Sequence, residues 1–340
     1  MNRTSAWQSF SKLLLTGGMW AIATTAAAQD LETPDVVIGT AKDPNLGAEI
    51  VIAREKRYFE DAGLNAEIRY FPSGGDLLAA VVAGDVHYGS SGATPITTLR
   101  GRPYPIKILS QISDISGAQQ LIVKEGIETP ADLEGKHVAI MKGTASELLF
   151  DSFVNEFGFD PSTIEMVAMG PTEMLSSFVR GDVDAIAVWE PHATRARKSG
   201  NGHVLVSGTT SFVPEQEGPK RIYGDHAALF APEDVIAENP NTTRAVLEAL
   251  ALAVEFIKAS PEEANQILAQ EFGMEPADMR DIMAVNEYTM VLDDTLVTDL
   301  NRLAEFLHSL GKVQTKPDAI EWIEREPLRD VRPDWVRLSG

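Results

Sequence analysis

Three short segments carry groups able to hold a small anion. Ser73-Gly74-Gly75-Asp76 and Gly143-Thr144-Ala145-Ser146-Glu147 each lead into a helical pattern. A helix N-terminus presents unpaired N–H groups and the positive end of the helix dipole, and glycine lets backbone approach a ligand closely. Ser90, Ser91 and Thr94 form a third segment rich in hydroxyls. Lys142 places a positive charge beside Gly143, Lys42 is a weaker counterpart, and Asn45 adds an amide nearby. The bland alternative is ordinary capping, in which Ser73 and Thr144 serve only their own helices.

Trp189-Glu190-Pro191-His192 offers the opposite chemistry. Glu190 can pair with an ammonium and Trp189 can stack on a cation. The structural alternative is a packed indole and a capping carboxylate. Tyr223-Gly224-Asp225-His226 offers a phenol and a second carboxylate that can close over a ligand. These segments contain no arginine, which speaks against a bare dicarboxylate gripped in bidentate fashion.

Enzyme signatures fail one by one. The six histidines, His87, His137, His192, His203, His226 and His308, show no metal-ligand spacing. Gly89-Ser90-Ser91-Gly92-Ala93 lacks the glycine that a nucleophile elbow needs two places after its serine. Neither a Walker A nor a G-x-G-x-x-G motif occurs. With no cysteine, disulfides, thiolate metal sites and a lipid-modified cysteine are excluded. No catalytic residue, metal or cofactor is expected. The net charge of −21, from 29 basic and 50 acidic residues, disfavours nucleic acid as a partner.

The elements that must position these segments are written twice. Asp76-Leu77-Leu78-Ala79-Ala80-Val81-Val82-Ala83-Gly84-Asp85-Val86 returns 97 positions later as Glu173-Met174-Leu175-Ser176-Ser177-Phe178-Val179-Arg180-Gly181-Asp182-Val183. Upstream, Val36-Val37-Ile38-Gly39 and Val138-Ala139-Ile140 each precede a helical pattern and a strand-like run. Each half therefore reads strand, helix, strand, helix, strand, with short apolar strands suited to a mostly parallel, doubly wound sheet. Gly84 and Gly181 stand where a left-handed glycine ends a helix. Two such α/β lobes make a clamp, with ligand beyond the carboxyl ends of the strands.

After Ser207 the chain turns loop-like, then forms a strand at 227–230 and several helices. Those helices lack a sheet of their own and are assigned to the first lobe. The expected division is lobe 1 from 29–117 and 210–340, and lobe 2 from 118–209, with crossings at 115–118 and 207–223. Residues 1–28 read as a secretory signal peptide. Arg3 and Lys12 are its positive region, 13–22 its apolar stretch, and Ala26-Ala27-Ala28 its cleavage pattern.

An ordered set of motifs carries a family likeness. Phe59-Glu60-Asp61-Ala62-Gly63-Leu64, Ala83-Gly84-Asp85-Val86 and Gly89-Ser90-Ser91-Gly92-Ala93-Thr94-Pro95 come first. Thr129-Pro130-Ala131-Asp132-Leu133-Glu134-Gly135-Lys136, Lys142-Gly143-Thr144, Gly181-Asp182-Val183-Asp184-Ala185 and Val188-Trp189-Glu190-Pro191 follow. From 36 to 237 the chain resembles the substrate-binding proteins of nitrate, sulfonate and taurine ABC importers, including relatives that bind thiamine-pyrimidine precursors. The resemblance implies a two-lobed type II periplasmic-binding fold, a periplasmic location and delivery of a solute to an inner-membrane permease. It leaves the solute open.

With that frame, the expected ligand-binding residues are Asn45, Ser73, Gly74, Gly75, Ser91, Thr94, Lys142, Gly143, Thr144, Trp189, Glu190, His192, Tyr223 and Asp225. An anion pole and a cation pole together favour a small zwitterion, with taurine or another small sulfonate foremost. Nitrate would leave Glu190 without a partner. A thiamine-pyrimidine precursor, an exported sensor module and a pyrimidine-synthase-like enzyme on the same fold are the alternatives. The chain is expected to act as a monomer that binds without turnover.

Overall fold

A computed structural model gives the fold and describes residues 30–72, 74–101, 104–316 and 318–339. The segment read as an export signal lies outside the described residues. The apolar runs build two sheets. In the first, Asp35–Ala41 lies between Asn65–Phe71 and Tyr88–Gly92 and is parallel to both. His226–Pro232, Ile106–Asp114 and Glu287–Tyr288 continue the sheet in antiparallel fashion. In the second, His137–Ile140 lies parallel to both Glu165–Ala168 and Ala185–Trp189. Gln119–Lys124, Gly202–Ser207 and the short pairs Thr210–Ser211 and Gly218–Pro219 complete it, again antiparallel.

Both sheets are thus mixed, not mostly parallel as the short apolar strands suggest. The reason lies in the crossings. The chain leaves the first sheet after Asp114, enters the second at Gln119, and re-enters the first at His226. Strands that begin at a crossing run against those that end there: Gln119 pairs with Trp189, and His226 with Asp114. The carboxyl ends of the parallel strands in both lobes consequently face the crossings and each other. This is the two-lobed type II periplasmic-binding architecture, with the cleft between the lobes.

The sequence repeat is also a repeat of environment. Helices Gly74–Ala83 and Pro171–Arg180 bury Leu77 and Val81, and Met174 and Phe178, at matching positions. Val86 and Val183 are buried after each helix, whereas Val82 and Val179 are exposed in both. Gly84 and Gly181 have φ of +80° and +84°. Each thus makes the left-handed stop that an L side chain adopts only with strain. Beyond the second crossing, Pro240–Ala259 buries Val246, Leu247, Leu250 and Val254 and packs on Pro44–Glu55, a first-lobe helix. Helix Pro261–Phe272 starts after Ser260 and ends at left-handed Gly273, but the Ser260 hydroxyl makes no capping bond.

A Cβ added at Gly84 or Gly181 meets nothing within 4 Å, so only the backbone opposes a larger residue. Gly84→Ala and Gly181→Ala are each expected to cost about 1 kcal/mol of stability, and by similar amounts. Urea unfolding of the two single variants checks this.

Candidate functional site: the cleft between the lobes

The three anion-binding candidates fare differently. Helix Ala93–Arg100 starts at Gly92 with no side chain capping it, and the Thr94 hydroxyl is buried without a hydrogen-bond partner. Helix Ala145–Phe157 is closed by its own groups. Thr144 Oγ1 accepts from Ser146 N (3.3 Å) and donates to Met141 O (2.7 Å), and Gly143 N donates to Glu147 Oε2 (2.6 Å). Gly143 and Thr144 therefore take the capping role, because Glu147 reaches back over the first turn, and Lys142 beside them is exposed.

In the third segment, Ser73 lies outside the described residues. Gly74 is pressed against the Thr94 loop. A Cβ there would come 2.6 Å from Pro95 Cγ and 3.3 Å from Ser91 Oγ. Gly75 is exposed at the helix start, and Ser91 is buried. The neighbouring hydroxyl of Ser90 donates to Leu46 O, tying this strand end to the first turn of helix Pro44–Glu55. Lys42 lies over the Tyr70 ring, 5.9 Å from its centroid.

Glu190 is not a free ammonium partner. Its carboxylate is fully buried and its oxygens are taken within its own lobe. Oε2 accepts from Thr194 N (2.9 Å), and Oε1 from Thr194 Oγ1 (3.0 Å), Gln120 Nε2 (3.2 Å) and Arg197 Nη2 (3.2 Å). Burial pushes its pKa up, and the Thr194 amide and Arg197 oppose that rise. The carboxylate thus closes the start of helix His192–Gly200 and neutralises Arg197. Trp189 and His192 meet edge to face at 6.4 Å, and His192 Nδ1 is buried without a partner. Burial, then the nearby Arg195 charge, lowers the His192 pKa, so the ring is neutral at pH 7.

Tyr223 and Asp225 stand at the crossings, and both are buried. Asp225 Oδ2 accepts from Gln119 Nε2 (2.9 Å) and Oδ1 from His226 N (3.0 Å), while Asp225 N donates to Ser116 Oγ (2.9 Å). The side chain thereby ties the two crossing strands together. Tyr223 is buried beside it, its hydroxyl making no hydrogen bond of ordinary geometry. Next to them Arg221 pairs with Asp114 (3.1 Å) and with Asp299, and His226 Nε2 lies 2.8 Å from Asp299.

The lobes meet at several points. Asn45 Nδ2 donates to Glu190 O (3.0 Å), while its Oδ1 accepts from Asn286 Nδ2 (2.7 Å). Asn45 is thus a strut between the lobes. Arg302 Nη2 reaches Ser152 Oγ (3.3 Å), and Lys198 pairs with Asp278. Sequence reasoning missed Asp43, Arg197, Asn286 and Arg302. Only Arg197 left a local signal, since 190, 194 and 197 share one helical face. Among the described residues no group of acids, histidines and cysteines could hold a metal ion, and no helix is long and apolar enough to cross a membrane.

The family model described as NMT1/THI5 like matches residues 46–264. The chain belongs to that family. Within the wider set of relatives it is similar to the taurine-binding periplasmic protein of Escherichia coli (strain K12). The two are 27% identical over 275 residues, covering 77% of this chain and 83% of the relative. In fold it is similar to the periplasmic aliphatic sulphonate binding protein SsuA from Escherichia coli. The TM-score there is 0.73 at 21% identity, covering 86% of this chain and 92% of the other. The desulfurization enzyme DSZB shares the fold too, with a TM-score of 0.67 at 15% identity, covering 89% and 99%.

Two predictions follow from the buried carboxylates. Glu190→Gln is expected to lower stability by about 1–2 kcal/mol, since Arg197 loses its counter-charge; denaturant unfolding measures it. Burial pushes Asp225 up to about 7 from 3.8. A raised folded-state value means that its contribution is full below 3.8 and lost as pH rises through about 7. Asp225→Asn is expected to flatten that part of the stability curve, read from urea midpoints at about pH 4.5 and about pH 7.5 in both proteins.

Proposed function

We propose that the chain is the exported solute-binding component of an ABC importer, a clamp that closes over a small sulfonate such as taurine. One observation carries the reading: the uncapped start of helix Ala93–Arg100, with the buried and unpartnered Thr94 hydroxyl, at the cleft end of a central strand. A sulfonate presents three acceptor oxygens to such donors, and the helix dipole favours its charge. Relatives named for taurine and aliphatic sulphonates support that class of solute. Ser91 and Gly74 stand beside this point, and Trp189 and His192 lie at the carboxyl end of a second-lobe strand. Closure follows from contacts that a ligand makes with both lobes, because only differential affinity shifts an open–closed equilibrium. The loaded clamp then delivers its solute to a permease, and no bond in the solute changes.

The test is titration calorimetry on the chain from Gln29 onward, unfolded and refolded to strip carried ligand. Taurine, ethanesulfonate and nitrate are the probes. Sulfonate binding is expected, and Thr94→Val should weaken it by about tenfold or more, the scale of a hydrogen bond to a charged group. Binding of nitrate alone overturns the choice of solute. NMR of the recovered ligand should show it unchanged; a new product would favour an enzyme on this fold.

A further inference from the structure

Asp43 stands in the loop after Asp35–Ala41 and caps helix Pro44–Glu55, its Oδ1 accepting from Asn45 N (2.7 Å). Asn45 also donates to Glu190 O, so this loop meets the second lobe directly. Among the described residues no basic side chain forms an ion pair with Asp43. Lys42, next to it, is turned over Tyr70. Glu190 is the charged group acting on Asp43 from the facing lobe, and Arg197 already neutralises it. Burial and that neighbouring negative charge both raise the Asp43 pKa, to about 6. One carboxylate in the cleft is therefore left without a counter-charge, which is costly unless something supplies one.

The Thr94 loop is close by. Its strand, Tyr88–Gly92, pairs with Asp35–Ala41, and Ser90 on that strand bonds Leu46 in the first turn of the helix that Asp43 caps. Asp43 and the start of helix Ala93–Arg100 therefore follow the carboxyl ends of adjacent parallel strands. We propose that Asp43 is the residue that selects aminosulfonates, accepting the ligand's ammonium while the start of helix Ala93–Arg100 holds its sulfonate. The inference rests on the sulfonate reading above and replaces Glu190 as the cation pole.

Asp43→Asn is the deciding variant, because asparagine caps a helix as well as aspartate does. Calorimetry compares taurine with isethionate, which carries a hydroxyl in place of the amine. The variant is expected to weaken taurine by about tenfold or more, the effect of losing a charge-assisted bond, and isethionate by less than about twofold. Equal losses for both ligands, or no loss for taurine, overturn the assignment. The wild-type protein gives an independent check that needs no variant. Isethionate bound as tightly as taurine removes Asp43 and leaves the sulfonate reading standing. Failure to bind either one removes both.

Discussion

The structure depends on two strands of chain passing side by side between the lobes and on the hydrogen bonds that join them. Asp225 accepts from Gln119 on one crossing while its amide donates to Ser116, also on that crossing. These bonds are shielded from water, where an unmade one would carry the full desolvation penalty. They set where both sheets start and stop. Because the antiparallel strands begin there, the carboxyl ends of the parallel strands point at one shared space.

Several charged groups near the cleft are paired within the protein itself. Glu190 and Arg197 balance inside the second lobe, and Arg221 lies between Asp114 and Asp299 near the crossings. Thr144 and Glu147 close one helix start. Among the groups left over are a bare helix start at Gly92, the Thr94 hydroxyl and the Asp43 carboxylate. A binding site in this fold is best found by subtracting every group that the architecture already uses.

Much of this was legible in the residues. Gly84 and Gly181 marked the repeat, and the helices expected after the second crossing include Pro240–Ala259. The family motifs carried the two-lobed form. The roles of individual polar groups were not legible, for a physical reason: their partners come from distant chain. Asn45 meets Asn286, 241 positions away, and Asp225 meets Gln119 across 106. Glu190 reads as a cation partner in the sequence and is paired with Arg197 and Thr194 in the structure, because a buried carboxylate and a ligand-facing one look alike until Arg197 is placed. Asp43 was not singled out among the site residues, although it caps its helix.

The paired crossings limit how the clamp can move. A lone connection lets two bodies swivel in any direction, whereas two stitched together behave like a strap hinge, bending readily about one axis and resisting twist. Each opening would then return the lobes to the same register. The loop bearing Asp43 would meet the second lobe in one alignment on every closure, so recognition need not be rebuilt between cycles.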